Sequence, residues 1–184
     1  MKRSESRKRA AALRQHQIHS KAFVPEPDEL RPRFIADVML GRLAKWLRIA
    51  GFDVLYSNRF TDEELVALSR RERRILLSRD TRLLVRRAVD RFIFLENEKI
   101  HAQIRQVFDA ARITSLPGIL TRCLACNEVL QEAAREEVCD RVPPFVYETQ
   151  TQFKMCPKCR KIYWAGTHRQ SVLRTLEKLI HSEF

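Results

Sequence analysis

The sequence predicts an α/β protein with a parallel sheet flanked by helices, followed by a small cysteine-bearing module and a C-terminal helix. Three observations predict it. Short apolar runs alternate with segments of helical periodicity between residues 34 and 111, as in right-handed βαβ units. The runs are short and almost entirely apolar, as in strands covered on both faces. After Pro117-Gly118 this pattern stops, and two Cys-x-x-Cys pairs follow.

The first strand and the first helix are predicted from the segment that starts at Phe34. Residues 34–36 are an apolar run that ends at Asp37. Apolar side chains then recur at helical spacing and predict a helix over 38–50: Leu40, Leu43, Ala44 and Leu47. Gly51 supplies the C-terminal stop of this helix.

The second and third strands lie on either side of the next helix. Residues 52–56 (FDVLY) and 75–78 (ILLS) are the predicted strands. Between them, Thr61-Asp62-Glu63-Glu64 fits the S/T-x-x-E capping box. A helix is therefore expected to start at this motif and to run to about Arg74.

The remaining elements follow the same reasoning. A short helix near 81–90, a fourth strand at 92–95 and a helix over 98–111 complete the predicted α/β domain. Four apolar residues share one face of the 98–111 helix: Ile100, Ile104, Val107 and Phe108. The C-terminal helix is expected at about 168–182.

The charge of the chain favours a polyanionic partner. Its 184 residues carry a formal net charge of +12 with an isoelectric point near 10.0, which favours nucleic acids or anionic surfaces. A run of about 18 apolar residues is absent, so we expect no membrane span and no membrane partner. We divide the chain into a basic N-terminal extension, the α/β domain, and the cysteine module with its helix: 1–33, 34–118 and 119–184.

Several acids are expected to meet at the carboxyl ends of the parallel strands, where ligands of such sheets bind. Asp37 closes the first strand, Asp80 follows the third, and Asp62 with Glu63 opens the helix after the second. Crowded carboxylates repel one another unless a cation lies between them, and oxygen ligands select Mg²⁺ or Mn²⁺. We expect Asp37 and Asp80 to bind this ion, with Asp62 or Glu63 completing the site or orienting water. Such a site suits phosphodiester hydrolysis.

Each of these acids also has a purely structural interpretation. Asp37 and Asp80 directly precede predicted helices, and their side chains can cap them. Asp62 and Glu63 lie in a first helical turn, where a negative charge interacts favourably with the helix dipole. The sequence leaves both interpretations open.

Basic side chains near the acids are candidates for binding phosphates. Arg42 and Lys45 lie opposite the apolar stripe of the 38–50 helix, and Arg48 lies on its flank. Arg79 and Arg82 lie on either side of Asp80 within a dense run of arginines. We expect these five side chains to contact a nucleic-acid backbone. The alternative is a solvated, charged face.

The two Cys-x-x-Cys pairs predict a metal site. Cys123 and Cys126 form the first pair, and Cys156 and Cys159 form the second. Four thiolates in one short module suit tetrahedral Zn²⁺, and they leave no open coordination position. We therefore expect a structural zinc, which would contribute folding free energy to a module too small for a core of its own.

Three segments resemble the Mut7-C RNase family, a branch of the PIN-like nucleases: FIADVMLGRLAKWLRIAGFDVLYS, TDEEL and RILLSRDTRLL. The resemblance covers about residues 34–180, and its most specific parts are the segments at 41–44 and 78–80. It implies a PIN-like domain joined to a C-terminal zinc ribbon, with RNA rather than DNA as substrate. It also implies that Asp37, Asp62 and Asp80 match the metal-binding acids of PIN-like nucleases.

Together these features predict a metal-dependent ribonuclease with Mg²⁺ or Mn²⁺ at the acids and structural Zn²⁺ at the cysteines. The alternative is a non-catalytic RNA- or ribosome-binding protein on a PIN-like scaffold, for which the basic extension and the zinc ribbon suffice. Its partner would then be RNA within the ribosome or another ribonucleoprotein. Cysteines spaced for a metal rather than for disulfides favour a reducing compartment, so we expect a cytoplasmic location.

Overall fold

The computed structural model describes residues 31–85, 89–166 and 168–181, which divide into two units. The sheet unit comprises the described residues up to Ala44 together with Val54–Ile113. The cysteine unit comprises Lys45–Asp53 and the described residues from Thr114 onward. All but the last three residues of the predicted extension 1–33 lie outside the described residues. The predicted boundaries after residues 33 and 118 remain predictions.

The sheet unit has the predicted α/β fold with a parallel sheet. Its four strands are β1 Phe34–Ala36, β2 Val54–Tyr56, β3 Ile75–Ser78 and β4 Phe92–Phe94. They lie in the order β2-β1-β3-β4, and every neighbouring pair is parallel. Because the strands share one direction, their C-terminal ends form one edge, which we call the carboxyl edge. Their N-terminal ends form the opposite, amino edge.

Four helices accompany these strands: α1 Gly41–Ile49, α2 Asp62–Arg71, α3 Thr81–Leu84 and α4 Ile100–Ala110. The helix predicted over 38–50 begins differently, because Val38–Leu40 forms a 3-10 turn that Asp37 caps. The helix predicted over 81–90 is described as helical only to Leu84, and residues 86–88 lie outside the described residues. The capping box of α2 is confirmed: the Thr61 and Glu64 side chains each accept the other's backbone N–H.

The core of the sheet unit lies between the sheet and its helices. Ile35 and Leu76 from neighbouring strands, Leu65 from α2 and Leu83 from α3 belong to one buried apolar cluster. Every residue of β1 and β3, the two central strands, is buried. This burial agrees with the continuous apolar character of the strands in the sequence.

Helices α2 and α4 end in the same way, with an arginine in the left-handed conformation: Arg73 (φ 51°) after α2 and Arg112 (φ 50°) after α4. After α2, the Arg73 N–H donates to Arg70 O (3.2 Å) and the Arg74 N–H donates to Ser69 O (2.8 Å). After α4, the Arg112 N–H donates to Asp109 O (3.1 Å) and the Ile113 N–H donates to Phe108 O (2.8 Å). This is the Schellman pattern, which most often has glycine at the left-handed position.

The cysteine unit contains an antiparallel sheet of three strands in the order β5-β6-β7: β5 Gln131–Ala133, β6 Phe153–Met155 and β7 Ile162–Trp164. Its further helices are α5 Arg135–Val138, α6 Pro144–Thr149 and the predicted C-terminal helix, α7 His168–His181. Val138, Val142 and Phe153 form a small buried cluster. None of the helices in the described ranges is both long enough and apolar enough to cross a lipid bilayer.

Candidate active site and metal centre

Strand β1 brings Asp37 to the carboxyl edge. Its backbone N–H donates to Leu77 O of β3 (3.0 Å), which extends the strand pairing by one residue. The residue is 5% exposed, and its carboxylate accepts hydrogen bonds from the Val38 N–H (2.6 Å) and the Ser78 hydroxyl (2.5 Å). Asp37 is therefore a cap, as its structural interpretation holds, but its second carboxylate oxygen is bound to β3.

Ser78 connects Asp37 to Asp80. Its buried hydroxyl donates to Asp37 Oδ2 and accepts the Asp80 N–H at 2.9 Å. Asp80 caps α3, since its Oδ1 accepts the Arg82 N–H at 2.7 Å. The sequence reasoning assigned no role to Ser78. Its position as the polar residue of the run ILLS could have indicated such a role, because a hydroxyl in a buried strand needs a hydrogen-bond partner.

Asp62 and Glu63 lie in the first turn of α2. Asp62 is half-buried and Glu63 is exposed. In the described ranges, the potential metal ligands that cluster in groups of three or more are the four cysteines, within 4.8 Å of one another, and the acids form no such group. The structure therefore links Asp37 with Asp80 through Ser78, and it does not bring Asp62 or Glu63 into the same cluster.

The donor set of Asp37 and Asp80 suits a hard divalent cation. Mg²⁺ is usually held by one or two carboxylates, and waters and substrate phosphates complete its octahedron. Two carboxylates can therefore suffice without a third acid. Among the described residues, no lysine or arginine forms a salt bridge with Asp37 or Asp80. No residue in this part of the chain donates a hydrogen bond to Asp80 Oδ2.

The start of α1 is fixed against β2. The Tyr56 hydroxyl donates to Val38 O at 3.0 Å. A Cβ on Gly41 would lie 2.5 Å from the Tyr56 hydroxyl oxygen and 2.7 Å from its ring. Glycine therefore allows the helix to begin directly beside the tyrosine, which holds the 3-10 turn that follows Asp37.

Four of the five predicted phosphate-binding side chains remain candidates. Arg42, Lys45 and Arg82 are exposed. Arg79 is half-buried, and its guanidinium donates to Glu98 Oε1 at 3.0 Å. These positions are compatible with nucleic-acid contacts, and the expectation for them stays a prediction.

The expectation for Arg48 is wrong, because its side chain is buried. The residue is 3% exposed, and its guanidinium donates to Leu124 O (2.9 Å) and Ala125 O (3.1 Å). Both carbonyls lie between Cys123 and Cys126, within the same unit as Arg48. Burial lowers the pKa of Arg48, while the nearby Cys123 and Cys126 act in the opposite direction. Arg48 therefore supports the first Cys-x-x-Cys segment, and its guanidinium is not exposed for contact with a nucleic-acid backbone.

The four predicted cysteine ligands converge. The Cys126 sulfur lies 3.4 Å from the Cys123 sulfur and 3.3 Å from the Cys156 sulfur, and the Cys123 and Cys159 sulfurs are 3.5 Å apart. The cluster could therefore bind zinc, since Zn–S bonds of about 2.3 Å in a tetrahedron require sulfurs in such proximity. Cys139, the fifth cysteine, is exposed and lies outside the cluster.

The two Cys-x-x-Cys segments have the same local geometry. In each, the residue after the second cysteine is left-handed: Asn127 at φ 69° and Arg160 at φ 60°. Each segment also makes the same pair of backbone bonds. In the first, the Asn127 N–H donates to Cys123 O (2.9 Å) and the Cys123 N–H donates to Glu128 O (2.8 Å). In the second, the Arg160 N–H donates to Cys156 O (3.0 Å) and the Cys156 N–H donates to Lys161 O (2.9 Å). These bonds fold each segment into a tight loop whose two sulfurs point to a common centre.

The thiols of the cluster titrate differently. Burial and hydrogen bonds with Cys156 and Cys123 raise the pKa of Cys126 to about 12. Burial also acts to raise the pKa of Cys123, but a hydrogen bond with the Tyr163 hydroxyl and bonds from backbone N–H groups outweigh it. The pKa of Cys123 is therefore lowered to about 6. A bound cation would favour the thiolate form of all four, which is the form that ligates metal.

Comparison with models of protein families identifies a match over most of the chain. The family model described as Mut7-C RNAse domain matches residues 32–176. No curated protein and no solved structure matches the chain. The matched range contains every described residue of the acidic site and of the cysteine cluster.

Proposed function

The chain belongs to the Mut7-C RNAse domain family, and on that premise we propose that it is a metal-dependent ribonuclease with a PIN-like sheet domain. The proposal places hydrolysis of an RNA phosphodiester bond at the carboxyl edge of the sheet unit. The observation that supports it best is the chain of hydrogen bonds from Asp37 through Ser78 to Asp80. These bonds connect the carboxylate of Asp37, which follows β1, to the backbone N–H of Asp80, which follows β3, at the same edge of the sheet.

Asp37 and Asp80 are the residues that would hold Mg²⁺ or Mn²⁺. A bound ion would supply Lewis-acid stabilisation of the phosphoryl oxygens and of the leaving oxygen. The protein contributes the fixed positions of the two carboxylates. Asp37 is held by the Val38 N–H and the Ser78 hydroxyl, and Asp80 is held by its bonds to Ser78 and the Arg82 N–H. Little reorganisation is then needed during the reaction.

Asp62 and Glu63 are the proposed acceptors for the attacking water. Both lie in the first turn of the helix that follows β2, next to the carboxyl edge. A carboxylate within one water molecule of the reacting phosphate can orient the nucleophile and accept its proton. Either residue can take this role, because they are adjacent in the same turn.

The exposed basic residues would bind the RNA phosphates on each side of the scissile bond. Arg82 follows Asp80 directly in α3, and Arg42 and Lys45 lie on α1. Arg79 can exchange its bond with the exposed Glu98 for a bond with phosphate. The excess positive charge of the chain would attract RNA from solution.

The cysteine cluster is the proposed site of a structural zinc ion. Four thiolates complete a tetrahedron and leave no position for water, so the cluster has no part in the hydrolysis. Arg48 places its positive charge beside the first pair of cysteines, which offsets the net negative charge of a zinc ion with four thiolates. Zinc-thiolate ligation and free Cys139 suit the cytoplasm, where we place the protein.

Variants of the two linked acids test the proposal. Purified protein should cleave single-stranded RNA when Mg²⁺ or Mn²⁺ is added, and Asp37→Asn and Asp80→Asn should each lower the rate by about a hundredfold or more. Asp109→Asn is the matched control, since it removes an exposed carboxylate of the same unit that forms an ion pair with Arg105. It should cleave like the unmodified protein.

The same experiment separates the enzyme from a non-catalytic RNA-binding protein. The observation that favours the alternative is that no cluster of three acids occurs among the residues that the structure describes. Cleavage by neither the unmodified protein nor the variants, together with salt-dependent RNA binding, would support a binding protein. Cleavage that persists in both Asp37→Asn and Asp80→Asn would show that the activity resides elsewhere.

A further inference from the structure

A charged cavity lies at the amino edge of the sheet unit. It has a volume of about 190 Å³ and is lined by Ser69, Arg70, Arg73, Asp90 and Arg91. Ser69 and Arg70 belong to the end of α2, Arg73 precedes β3, and Arg91 directly precedes β4. The acids Asp37 and Asp80 lie at the other edge. The cavity therefore belongs to no part of the site already described.

The lining of this cavity has an excess of positive charge. It contains three guanidinium groups and one carboxylate. Arg70 Nε and Asp90 Oδ2 are 4.0 Å apart, and both side chains are more than half exposed, so this pair contributes little. Arg73 is exposed and forms no salt bridge with a described carboxylate.

The carboxylate of Glu72, the residue before Arg73, is already bound to other arginines. Glu72 accepts hydrogen bonds from Arg71 at 3.0 Å and from Arg74 at 2.8 Å. Guanidinium groups that share a cavity repel one another unless an anion lies between them. Their planar arrays of N–H donors match the oxygens of a phosphate group, which can accept two of these bonds from each arginine.

We propose that the amino-edge cavity binds a phosphate group of the RNA chain that the carboxyl edge cleaves. This inference rests on the proposed function, because RNA is the substrate that the proposed function assigns to the protein. Strand β3 has four residues and spans about 13 Å at ~3.3 Å per residue. One phosphate cannot reach both edges, so the cavity would act only on RNA with several phosphates.

Arg73 offers an unusually clean test of this proposal. It occupies the left-handed position after α2, where glycine is favoured, so Arg73→Gly should keep the fold. Arg112 occupies the same position after α4, with the same two backbone bonds, and does not line the amino-edge cavity. Arg112→Gly therefore removes one positive charge and one left-handed arginine without touching the proposed site.

Binding is measured in the Asp37→Asn background with a fluorescently labelled single-stranded RNA oligonucleotide, by anisotropy over a range of KCl concentrations. Arg73→Gly should reduce the slope of log affinity against log salt by ~0.7, which is about fivefold in affinity for a tenfold change in salt. Arg112→Gly should leave the slope unchanged. Thermal unfolding should show Tm rising by roughly 2–4 °C for both variants.

A cleavage experiment separates this inference from the proposed function. With Asp37 intact, Arg73→Gly should slow cleavage of long RNA at subsaturating concentration and leave cleavage of a dinucleotide unchanged. Equal slopes for Arg73→Gly and Arg112→Gly would overturn the inference while the ribonuclease proposal stands. An equal loss on long RNA and on the dinucleotide would also overturn it, because Arg73 would then act through the acidic site. Failure of the unmodified protein to bind RNA would overturn both proposals.

Discussion

At the scale of single residues, the proposed active site depends on one hydroxyl group. Ser78→Ala removes a donor from Asp37 Oδ2 and an acceptor from the Asp80 N–H. We expect RNA cleavage to fall about 10- to 100-fold, as for other groups that orient metal ligands. The free energy of unfolding should fall by about 1–2 kcal/mol. Steady-state cleavage rates and urea unfolding measure the two effects.

Thr121→Val is the matched control for Ser78→Ala. The Thr121 hydroxyl also makes a bond to protein, donating to Gly118 O at 2.9 Å, but it lies in the cysteine unit. Its loss should lower stability slightly and leave cleavage unchanged. A Ser78→Ala protein with full activity would contradict the idea that Ser78 positions the two acids.

Position in the sequence correctly predicted that Asp37 and Asp80 follow strands of the sheet, but it did not predict the surroundings of Arg48. An acid directly after an apolar strand must lie at the carboxyl edge of a parallel sheet, whatever the rest of the chain does. Arg48 was misplaced because its acceptors, Leu124 O and Ala125 O, lie 76 and 77 residues further along the chain. Helical periodicity places a side chain on a face of its own helix and contains no information on such distant partners.

At the scale of elements, the end of α2 and the start of β3 are joined by an ion pair with a pH dependence. Arg74 is buried and donates to Glu72 at 2.8 Å and to Phe34 O at 3.2 Å. Hydrogen bonds from Arg74 and Arg71 lower the pKa of Glu72 from its ordinary value of 4.5. A lowered pKa in the folded state means that the pair stabilises the fold above the unfolded pKa, and that this stability is lost as the pH falls through the folded pKa.

Replacement of Glu72 should therefore matter at neutral pH and not in acid. We expect Glu72→Gln to lower the free energy of unfolding by about 1–3 kcal/mol at pH 7, because the buried Arg74 loses its charged acceptor. The difference from the unmodified protein should shrink as the pH falls through the lowered pKa of Glu72, below its ordinary value of 4.5. Urea unfolding at both pH values measures it. Asp109→Asn should show little difference at either pH, and a Glu72→Gln deficit that persists in acid would contradict the linkage.

The cysteine unit provides the second prediction at this scale. Cys123→Ser should abolish stoichiometric zinc binding and lower the thermal stability of the unit, because the buried thiolate is part of a four-sulfur site. Cys139→Ser changes an exposed cysteine outside the cluster and should retain full zinc. Elemental analysis and thermal unfolding with and without a chelator distinguish the two variants. Full zinc content in Cys123→Ser would show that the ligand assignment is wrong.

Elements were predictable where local signals were strong. Apolar runs identified all four parallel strands, and the capping box identified the start of α2. The three-residue strands of the cysteine unit were not predicted. Strand β5 (QEA) is polar and largely exposed, so it has neither the alternation nor the apolar run of a recognisable strand. Its position depends on pairing with β6 across a long segment of chain.

At the scale of the whole molecule, the net charge of +12 should make RNA binding strongly dependent on salt. For single-stranded RNA, log affinity should fall linearly with log salt with a slope of about −0.7 for each phosphate neutralised. Residues 1–33 carry nine basic and four acidic side chains, so their deletion should reduce both affinity and slope. Anisotropy titrations in the Asp37→Asn background measure binding without cleavage.

The control for this deletion keeps the chain length. Replacement of residues 1–33 by an uncharged segment of equal length should have the same effect on the slope as the deletion. A slope that does not change in either protein would mean that the RNA interacts only with residues beyond the extension.

The grouping of the chain into units was only partly predictable. The end of the regular βα pattern near Pro117-Gly118 indicated a second part of the chain. That Lys45–Asp53 groups with the later residues was not foreseen, because it depends on contacts such as Asn127 Nδ2 to Asp53 Oδ1 at 2.7 Å. Such contacts join residues far apart in sequence and leave no local pattern.

The outer strands of the parallel sheet, β2 and β4, are only three residues long. An unpaired strand is a template onto which a second molecule can add its own backbone, and long flat strands of this kind promote aggregation. Here one outer carbonyl is also occupied, since the Gln106 side chain of α4 donates to Phe94 O at 2.8 Å. The borders of this apolar sheet therefore offer the backbone of an incoming chain few places to attach.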